Sequence, residues 1–128
     1  YNRSLTEIPI QFNTVNEYFI CSSNQLTALK ESPRIVLGGF YSDYNQLTSL
    51  KGAPKIVKGS FDCSNNKLTS LKGSPKIIGY NFYCHDNPNL TSLDFLPEVI
   101  GEYLIVPDHL TNDPFYLIYK SKEKLLKI

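Results

Sequence analysis

The chain reads Phe40-Tyr-Ser-Asp-Tyr-Asn-Gln-Leu-Thr-Ser-Leu-Lys-Gly-Ala-Pro-Lys-Ile-Val57 and, 21 residues later, Phe61-Asp-Cys-Ser-Asn-Asn-Lys-Leu-Thr-Ser-Leu-Lys-Gly-Ser-Pro-Lys-Ile-Ile78. A short repeat of fixed length predicts a solenoid, in which each copy stacks on its neighbours and presents a continuous surface. Weaker copies precede and follow these two, so the repetition spans about residues 5–111.

Three residue types keep the same step along the chain. The recurring leucines, asparagines and prolines are Leu26, Leu47, Leu68 and Leu90; Asn24, Asn45, Asn66 and Asn87; and Pro33, Pro54, Pro75 and Pro97. An asparagine at the exit of each strand is expected to satisfy backbone groups of neighbouring turns. A proline in each return segment favours an extended conformation there.

The repeat has the form F-x-C-x-x-N-x-L-T-S-L-x-G-x-P-x-I-V. It resembles the leucine-rich repeat, with Phe and Cys in the two leucine columns of the strand. The L-T-S-L-x-G-x-P ending is similar to the short repeats of bacterial effectors, and similar arrays occur in bacterial and phage proteins. The resemblance implies a fold, whereas such scaffolds serve many different functions.

The predicted fold is a mostly β repeat solenoid of the α/β type, with about five turns of 21–22 residues. Segments around Phe19, Phe40, Phe61, Phe82 and Leu104 alternate in side-chain character and should stack as one parallel sheet. Extended segments would form the convex side. Residues 1–111 would form the solenoid and residues 112–128 a C-terminal cap.

The C-terminal segment departs from the repeat. Asp113 is predicted to cap a helix with Pro114 at its first position. One helix face would then carry Phe115, Ile118, Tyr119, Lys122, Leu125 and Leu126. The charge of Lys122 interrupts this face, so a β extension remains an alternative. Covering the last turn is the predicted role, and a basic amphipathic segment for a membrane or partner is the alternative.

Three cysteines, Cys21, Cys63 and Cys84, occupy the second strand column, which predicts a stack of small buried side chains. A Cys63–Cys84 disulfide is the alternative. An odd number of core cysteines favours a reducing, cytoplasmic compartment. By resemblance, this would be a bacterial or phage-infected host cytoplasm.

The residues next to the inward phenylalanines should point outward and form the candidate partner-binding face. Its members are Tyr18, Ile20, Tyr41, Asp43, Tyr44, Asp62, Tyr83, His85, Asp86, Tyr103 and Ile105, with Asp108 beyond them. Exposed tyrosine on a rigid sheet is typical of interaction surfaces, although β-propensity also favours it. The aspartates predict a basic or donor-rich protein partner.

A second set of columns is basic and lies in the return segments. Its members are Lys30, Lys51 and Lys72, and Arg34, Lys55 and Lys76. Both columns become acidic in the fourth repeat, at Asp94 and Glu98. They are interpreted as solubilising charge, and the alternative is a stripe that binds nucleic acid or an acidic partner.

The sequence predicts neither an enzyme nor a cofactor. Cys84, His85 and Asp86 are residue types of a nucleophilic site, but alternation should turn Cys84 inward and His85 outward. A metal site formed by His85, Asp86, Asp108 and His109 is the weaker alternative. The predicted function is non-enzymatic protein binding through the tyrosine- and aspartate-rich face. By resemblance, the module would be an inhibitor or adaptor that acts by steric occupation; a structural fragment of a larger effector is a further alternative. No membrane partner is expected, and the oligomeric state stays open.

Overall fold

The structure is a computed structural model that describes residues 5–8 and 13–126. Phe12, which the repeat assigns to the first turn, lies outside the described residues. Most of the described chain forms a β-solenoid whose strands are two residues long and all parallel. An isolated strand of two residues has little stability, so the array depends on the stacking of its turns.

The described residues contain ten strands, which form two five-stranded sheets. The first, sheet A, contains β1 (Thr14–Val15), β3 (Ile35–Val36), β5 (Ile56–Val57), β7 (Ile77–Ile78) and β9 (Val99–Ile100). The second, sheet B, contains β2 (Phe19–Ile20), β4 (Phe40–Tyr41), β6 (Phe61–Asp62), β8 (Phe82–Tyr83) and β10 (Leu104–Ile105). A 3-10 turn (Asp108–Leu110) and the helix α1 (Pro114–Leu126) follow.

The prediction of a single sheet with an extended convex side is wrong. The β-branched pairs that follow each proline lie in register on successive turns, as Ile35 pairs with Ile56 and Ile56 with Ile77. Once stacked, these extended segments form a parallel ladder of their own, because each offers its neighbour a complete set of backbone groups. The number of turns is also smaller than predicted. The five strands of sheet A are related by four successive pairings, so the array spans about four full periods.

The core lies between the two sheets and the leucine-containing side of each turn. Phe61, Cys63, Leu68 and Leu71 are fully buried, as the repeat predicts. Phe40 stacks on Phe61 with ring centroids 5.3 Å apart, and similar rows of leucines run beside the phenylalanines. Each turn thus buries its apolar side chains against the turns above and below it.

The buried asparagines connect successive turns, as predicted. The side-chain amide of Asn66 donates to the carbonyl oxygens of Ser42 (3.1 Å), Cys63 (3.1 Å) and Ser64 (3.0 Å). Its Oδ1 accepts a hydrogen bond from the backbone N–H of Leu47 at 3.0 Å. Equivalent bonds recur one period away on either side. One side chain therefore satisfies four backbone groups at the exit of each of the strands β4, β6 and β8.

The corner between the two sheets is tight. At Gly59, between β5 and β6, an added Cβ would lie 2.7 Å from the carbonyl carbon of Gly38 and 2.7 Å from the nitrogen of Gly39. These neighbours are backbone atoms, which cannot move aside without displacing a whole turn. Glycine is thus required here by the close stacking of corners.

The C-terminal segment is a helix, as the Asp113-Pro114 pair predicts. Asp113 Oδ1 accepts from the N–H of Phe115 at 2.8 Å, and its Oδ2 accepts from the N–H of Leu93 at 3.3 Å. The predicted packing face is only partly right, because Tyr116 and Tyr119 contact the core while Phe115 and Ile118 are exposed. The side chains of Leu125 and Leu126 lie outside the described part. Among the described residues, no helix is long and apolar enough to cross a membrane.

Candidate functional site

The candidate surface consists of the outward side chains of sheet B and of side chains that flank its strands. We call it the Tyr/Asp face; its members are Tyr18, Ile20, Tyr41, Asp43, Tyr44, Asp62, Tyr83, His85, Asp86, Tyr103 and Ile105. In each strand the first residue points into the core and the second points out. Strand pairing brings Ile20, Tyr41, Asp62, Tyr83 and Ile105 into one row.

Tyr41 is held against the backbone in the centre of this row. A Cβ added at Gly39 would lie 2.6 Å from the Tyr41 hydroxyl oxygen, so the ring lies over the glycine. The ring of Tyr18 follows, with a centroid distance of 6.2 Å. Burial, with added repulsion from Tyr18, Tyr83 and the two aspartates, raises the pKa of the Tyr41 hydroxyl. Tyr41 is therefore a neutral, positioned aromatic group at physiological pH.

Tyr83 is positioned by a different set of contacts. Its hydroxyl oxygen accepts a hydrogen bond from the Asn81 side-chain amide at 2.8 Å. Asn81 in turn accepts from the backbone N–H of Tyr103 at 3.0 Å, which links two neighbouring turns. The ring of His85 meets the Tyr83 ring edge-on, with centroids 6.0 Å apart. These contacts restrict the rotamers of Tyr83 before any partner arrives.

Asp62 lies between the two central tyrosines and is shorter than either. Its Oδ1 accepts from the Ser64 hydroxyl at 2.6 Å and from the Ser64 N–H at 2.9 Å. Burial raises the pKa of the Asp62 carboxyl, and the two bonds from Ser64 oppose that rise. Nearby, Asp43 Oδ1 accepts from the Ser22 hydroxyl at 2.5 Å. The centre of the face is thus a carboxylate flanked by two fixed aromatic rings.

The residues of the face that follow the strands of sheet B include positions with positive φ angles. Tyr44 and Asp86 have positive φ angles of 56° and 53°, as do Ser23 and Asn65 in the same column. This left-handed conformation is unfavourable for a residue such as tyrosine. Because it recurs in the same column of four turns, we attribute it to the tight turn before each buried asparagine. It turns Tyr44 outward, where the side chain is exposed.

Sequence reasoning missed the polar side chains that position the face. Ser22, Ser64 and Asn81 fix Asp43, Asp62 and Tyr83 respectively. A signal was available, because Ser22 and Ser64 share a column with Asp43, and Asn81 shares one with Tyr18. A prediction based on residue type selects the tyrosines and aspartates but does not identify the residues that form hydrogen bonds with them.

The two basic columns lie on other sides of the solenoid. Arg34, Lys55 and Lys76 are exposed and stand immediately before the strands of sheet A. Lys30, Lys51 and Lys72 are exposed in the segments between the buried leucines and the prolines. The structure thus separates the two predicted surfaces, with acidic and aromatic groups on sheet B and basic groups elsewhere.

The groups with catalytic side-chain types do not form a shared site. Cys84 is fully buried, whereas His85 lies on the outer face with its Nε2 3.8 Å from Asp86. Burial raises the pKa of the Cys21 and Cys84 thiols to about 12 and raises that of Cys63 well above its ordinary value. All three thiols are free and buried, and no Cys63–Cys84 disulfide forms.

The proposed set of metal ligands is not brought together. His109 Nε2 lies 2.6 Å from the carbonyl oxygen of Leu90 rather than beside His85. Within residues 5–8 and 13–126, no group of three or more histidine, cysteine or acidic side chains could hold a metal ion.

Comparison of the chain with protein-family models, with curated proteins and with solved structures gives no match. The description that the fold supports is a β-solenoid of about four turns with a 21-residue period and a helical cap.

Proposed function

We propose that this chain is a non-enzymatic protein-binding module whose Tyr/Asp face engages a basic or donor-rich protein partner. The observation that carries the proposal is the central row, in which Asp62 lies between Tyr41 and Tyr83 on three paired strands. Both rings are positioned by contacts within the chain, so little conformational freedom is lost on binding. Tyrosine hydroxyls and carboxylates can accept hydrogen bonds from lysine, arginine or amide groups of a partner.

The binding mode would be steric occupation, in which a rigid surface covers a functional region of the partner, as in an inhibitor or adaptor. We also propose that the chain is related to leucine-rich-repeat proteins. The N-x-L-T-S-L-x-G-x-P pattern of the repeat supports this relationship. A reducing, cytoplasmic setting also belongs to it and is supported by the three free thiols.

The test is affinity capture from cell lysate, with the captured proteins identified by mass spectrometry. We expect the double variant Tyr41→Ala/Tyr83→Ala to lose the partner while its melting temperature stays close to that of the wild type. The matched control is Lys51→Ala/Lys72→Ala, which removes two exposed side chains from another side of the solenoid. If the lysine variant loses binding and the tyrosine variant keeps it, the basic columns are the working surface.

The second candidate is binding of nucleic acid or an acidic partner by the basic columns. The exposed row Arg34, Lys55 and Lys76 favours it, because successive turns hold these charges close together. Phosphate contacts of this kind weaken steeply with salt. A tight complex with an oligonucleotide at physiological salt, lost on neutralising Lys55 and Lys76, would replace the first proposal with this one.

A further inference from the structure

A groove of about 730 Å³ lies between β9, the last strand of sheet A, and the helix α1. Its apolar lining includes Phe95, Val99, Phe115 and Ile118, all of them exposed. Single apolar side chains are common on protein surfaces, but a concave cluster of them is typical of a binding site. The groove is separate from the row Tyr41–Asp62–Tyr83. Tyr103 is the one member of the Tyr/Asp face that also lines the groove.

One wall of the groove is the edge of a parallel sheet. In the preceding turn, Lys76 O accepts from the N–H groups of Glu98 and Val99, and Ile78 O accepts from that of Gly101. The equivalent oxygens one turn later belong to Glu98 and Ile100. In the described part of the chain, β9 pairs with β7 alone, so no further strand meets these two oxygens. Such an edge can accept another extended segment.

The helix occupies only one end of this edge. The Tyr119 hydroxyl donates to the carbonyl oxygen of Glu102, which is the next acceptor along the same row. Beyond that contact, α1 and β9 form opposite walls of the groove. The cap therefore covers the core and leaves the acceptors of Glu98 and Ile100 facing the groove.

Side-chain rows of sheet A define what an added strand would need. Val57 and Ile78 are fully buried, whereas Ile100 is half-buried at the end of the same row. An apolar side chain opposite Ile100 would continue this row beneath the helix. The neighbouring row runs Arg34, Lys55 and Lys76 and ends in Glu98. A basic residue beside Glu98 in the added strand would therefore meet an acidic neighbour, while Glu102 and Lys122 also line the groove.

We propose that this groove binds an extended peptide segment of a partner protein, basic and apolar in alternation, as a sixth parallel strand of sheet A. Backbone hydrogen bonds to Glu98 and Ile100 would hold the segment in register. An aliphatic side chain beside Ile100, with Phe115 and Ile118 opposite, would select for an apolar residue. Glu98 would select for lysine or arginine two positions before that apolar residue.

The probe is a fluorescein-labelled peptide, acetyl-Thr-Lys-Thr-Ile-Thr-amide, which ends before the Tyr119–Glu102 contact and whose binding is followed by fluorescence anisotropy. We expect Ile118→Lys to weaken binding about tenfold or more, because it places a charge in the apolar wall. Leu117→Lys is the matched control, since Leu117 is 51% exposed and Ile118 54%, and only Ile118 lines the groove. Binding should persist in Tyr41→Ala/Tyr83→Ala, which separates this proposal from the function of the Tyr/Asp face.

Two modified peptides test the strand geometry. N-methylation of both threonines that flank the isoleucine removes the N–H groups that would donate to Glu98 and Ile100, and it should abolish binding. N-methylation of the isoleucine should be tolerated, because that N–H points away from β9 in a parallel ladder. Equal binding of both peptides would overturn the proposal, as would equal binding of an analogue with glutamate in place of lysine. No binding of the parent peptide would also overturn it.

A second copy of this chain is the competing occupant. Sedimentation of the wild type, Ile118→Lys and Leu117→Lys over a range of concentrations decides between the two. A monomer in all three cases supports the peptide proposal. Self-association that Ile118→Lys alone disrupts would assign the groove to another copy and overturn it.

Discussion

Sheet A and sheet B have the same number of strands, the same period and the same pairing, yet their outer faces differ. Sheet A carries the aliphatic row Ile35, Ile56, Ile77 and Val99, with a basic row beside it over most of its length. Sheet B carries tyrosine and aspartate, with neither lysine nor arginine in the columns of the Tyr/Asp face. β-branched and charged side chains are common residue types on the solvated face of a sheet.

The fold alone therefore does not dictate the residue types of the Tyr/Asp face. Sheet A shows that the same backbone arrangement is compatible with aliphatic and basic side chains on its outer face. On sheet B the chain places a half-buried carboxylate between two aromatic rings and tolerates a left-handed tyrosine beside them. Departures of this kind from local preference are expected where a surface is used.

The largest effect should come from the interior, which both sheets share. Leu68→Ala should lower the free energy of unfolding by roughly 2–5 kcal/mol, because it opens a cavity between neighbouring turns. Urea denaturation measures this, with the exposed neighbour Thr69→Ala as the control. A loss well below 1 kcal/mol for Leu68→Ala would contradict the described register.

The corner between the sheets should give a smaller but clear effect. In Gly59→Ala the new methyl group would meet the backbone of the adjacent corner, and such overpacking costs about 1–3 kcal/mol. Thermal unfolding of Gly59→Ala and of the exposed neighbour Lys58→Ala provides the comparison. Equal melting temperatures would mean that the corners of successive turns do not stack as closely as described.

The third side of the solenoid belongs to neither sheet and should show a gain. Glu31 has a φ of 72° where the next two turns have Gly52 and Gly73. Replacing it with glycine should stabilise the chain by about 0.5–1 kcal/mol, because the left-handed strain outweighs the added freedom of the unfolded chain. Lys30→Gly is the control and should be destabilising. A loss of stability in Glu31→Gly would contradict the turn geometry.

The smallest expected effect is a pH dependence of stability that comes from Asp62 on sheet B and has no counterpart in the central row of sheet A, which is uncharged. Because burial raises the pKa of Asp62, the folded chain holds this proton to higher pH than the unfolded chain does. Its contribution is therefore favourable at acid pH and is lost as the pH rises through the raised pKa. Asp62→Asn keeps the acceptor for Ser64 and removes the titration. We expect the unfolding free energy of the wild type, relative to that of the variant, to fall as the pH rises from below the ordinary carboxyl pKa of about 3.9 towards neutrality. A rise over that range would contradict the burial of Asp62.

Much of this architecture could be predicted because the repeat forces identical positions into register. The buried leucines, the asparagine ladder, the inward cysteines and the row Tyr41–Asp62–Tyr83 all follow from a fixed period and alternation. Sheet A was not predicted because prolines such as Pro54 indicate an extended segment without strand pairing. Pairing between return segments depends on how closely the turns stack, which the sequence alone does not specify. The exposed positions of Phe115 and Ile118 could not be predicted either, because a helical wheel does not say how the helix lies across the last turn.

Photo-cross-linking from matched positions on the two sheets distinguishes binding by the Tyr/Asp face from binding by sheet A. Benzoylphenylalanine replaces Tyr83 in one protein and Ile77 in another; both lie on the same turn, on sheet B and sheet A respectively. The position of Tyr83 should give a discrete cross-linked product with the captured partner, and the position of Ile77 should give none. A product from Ile77 alone would contradict the account and assign binding to sheet A.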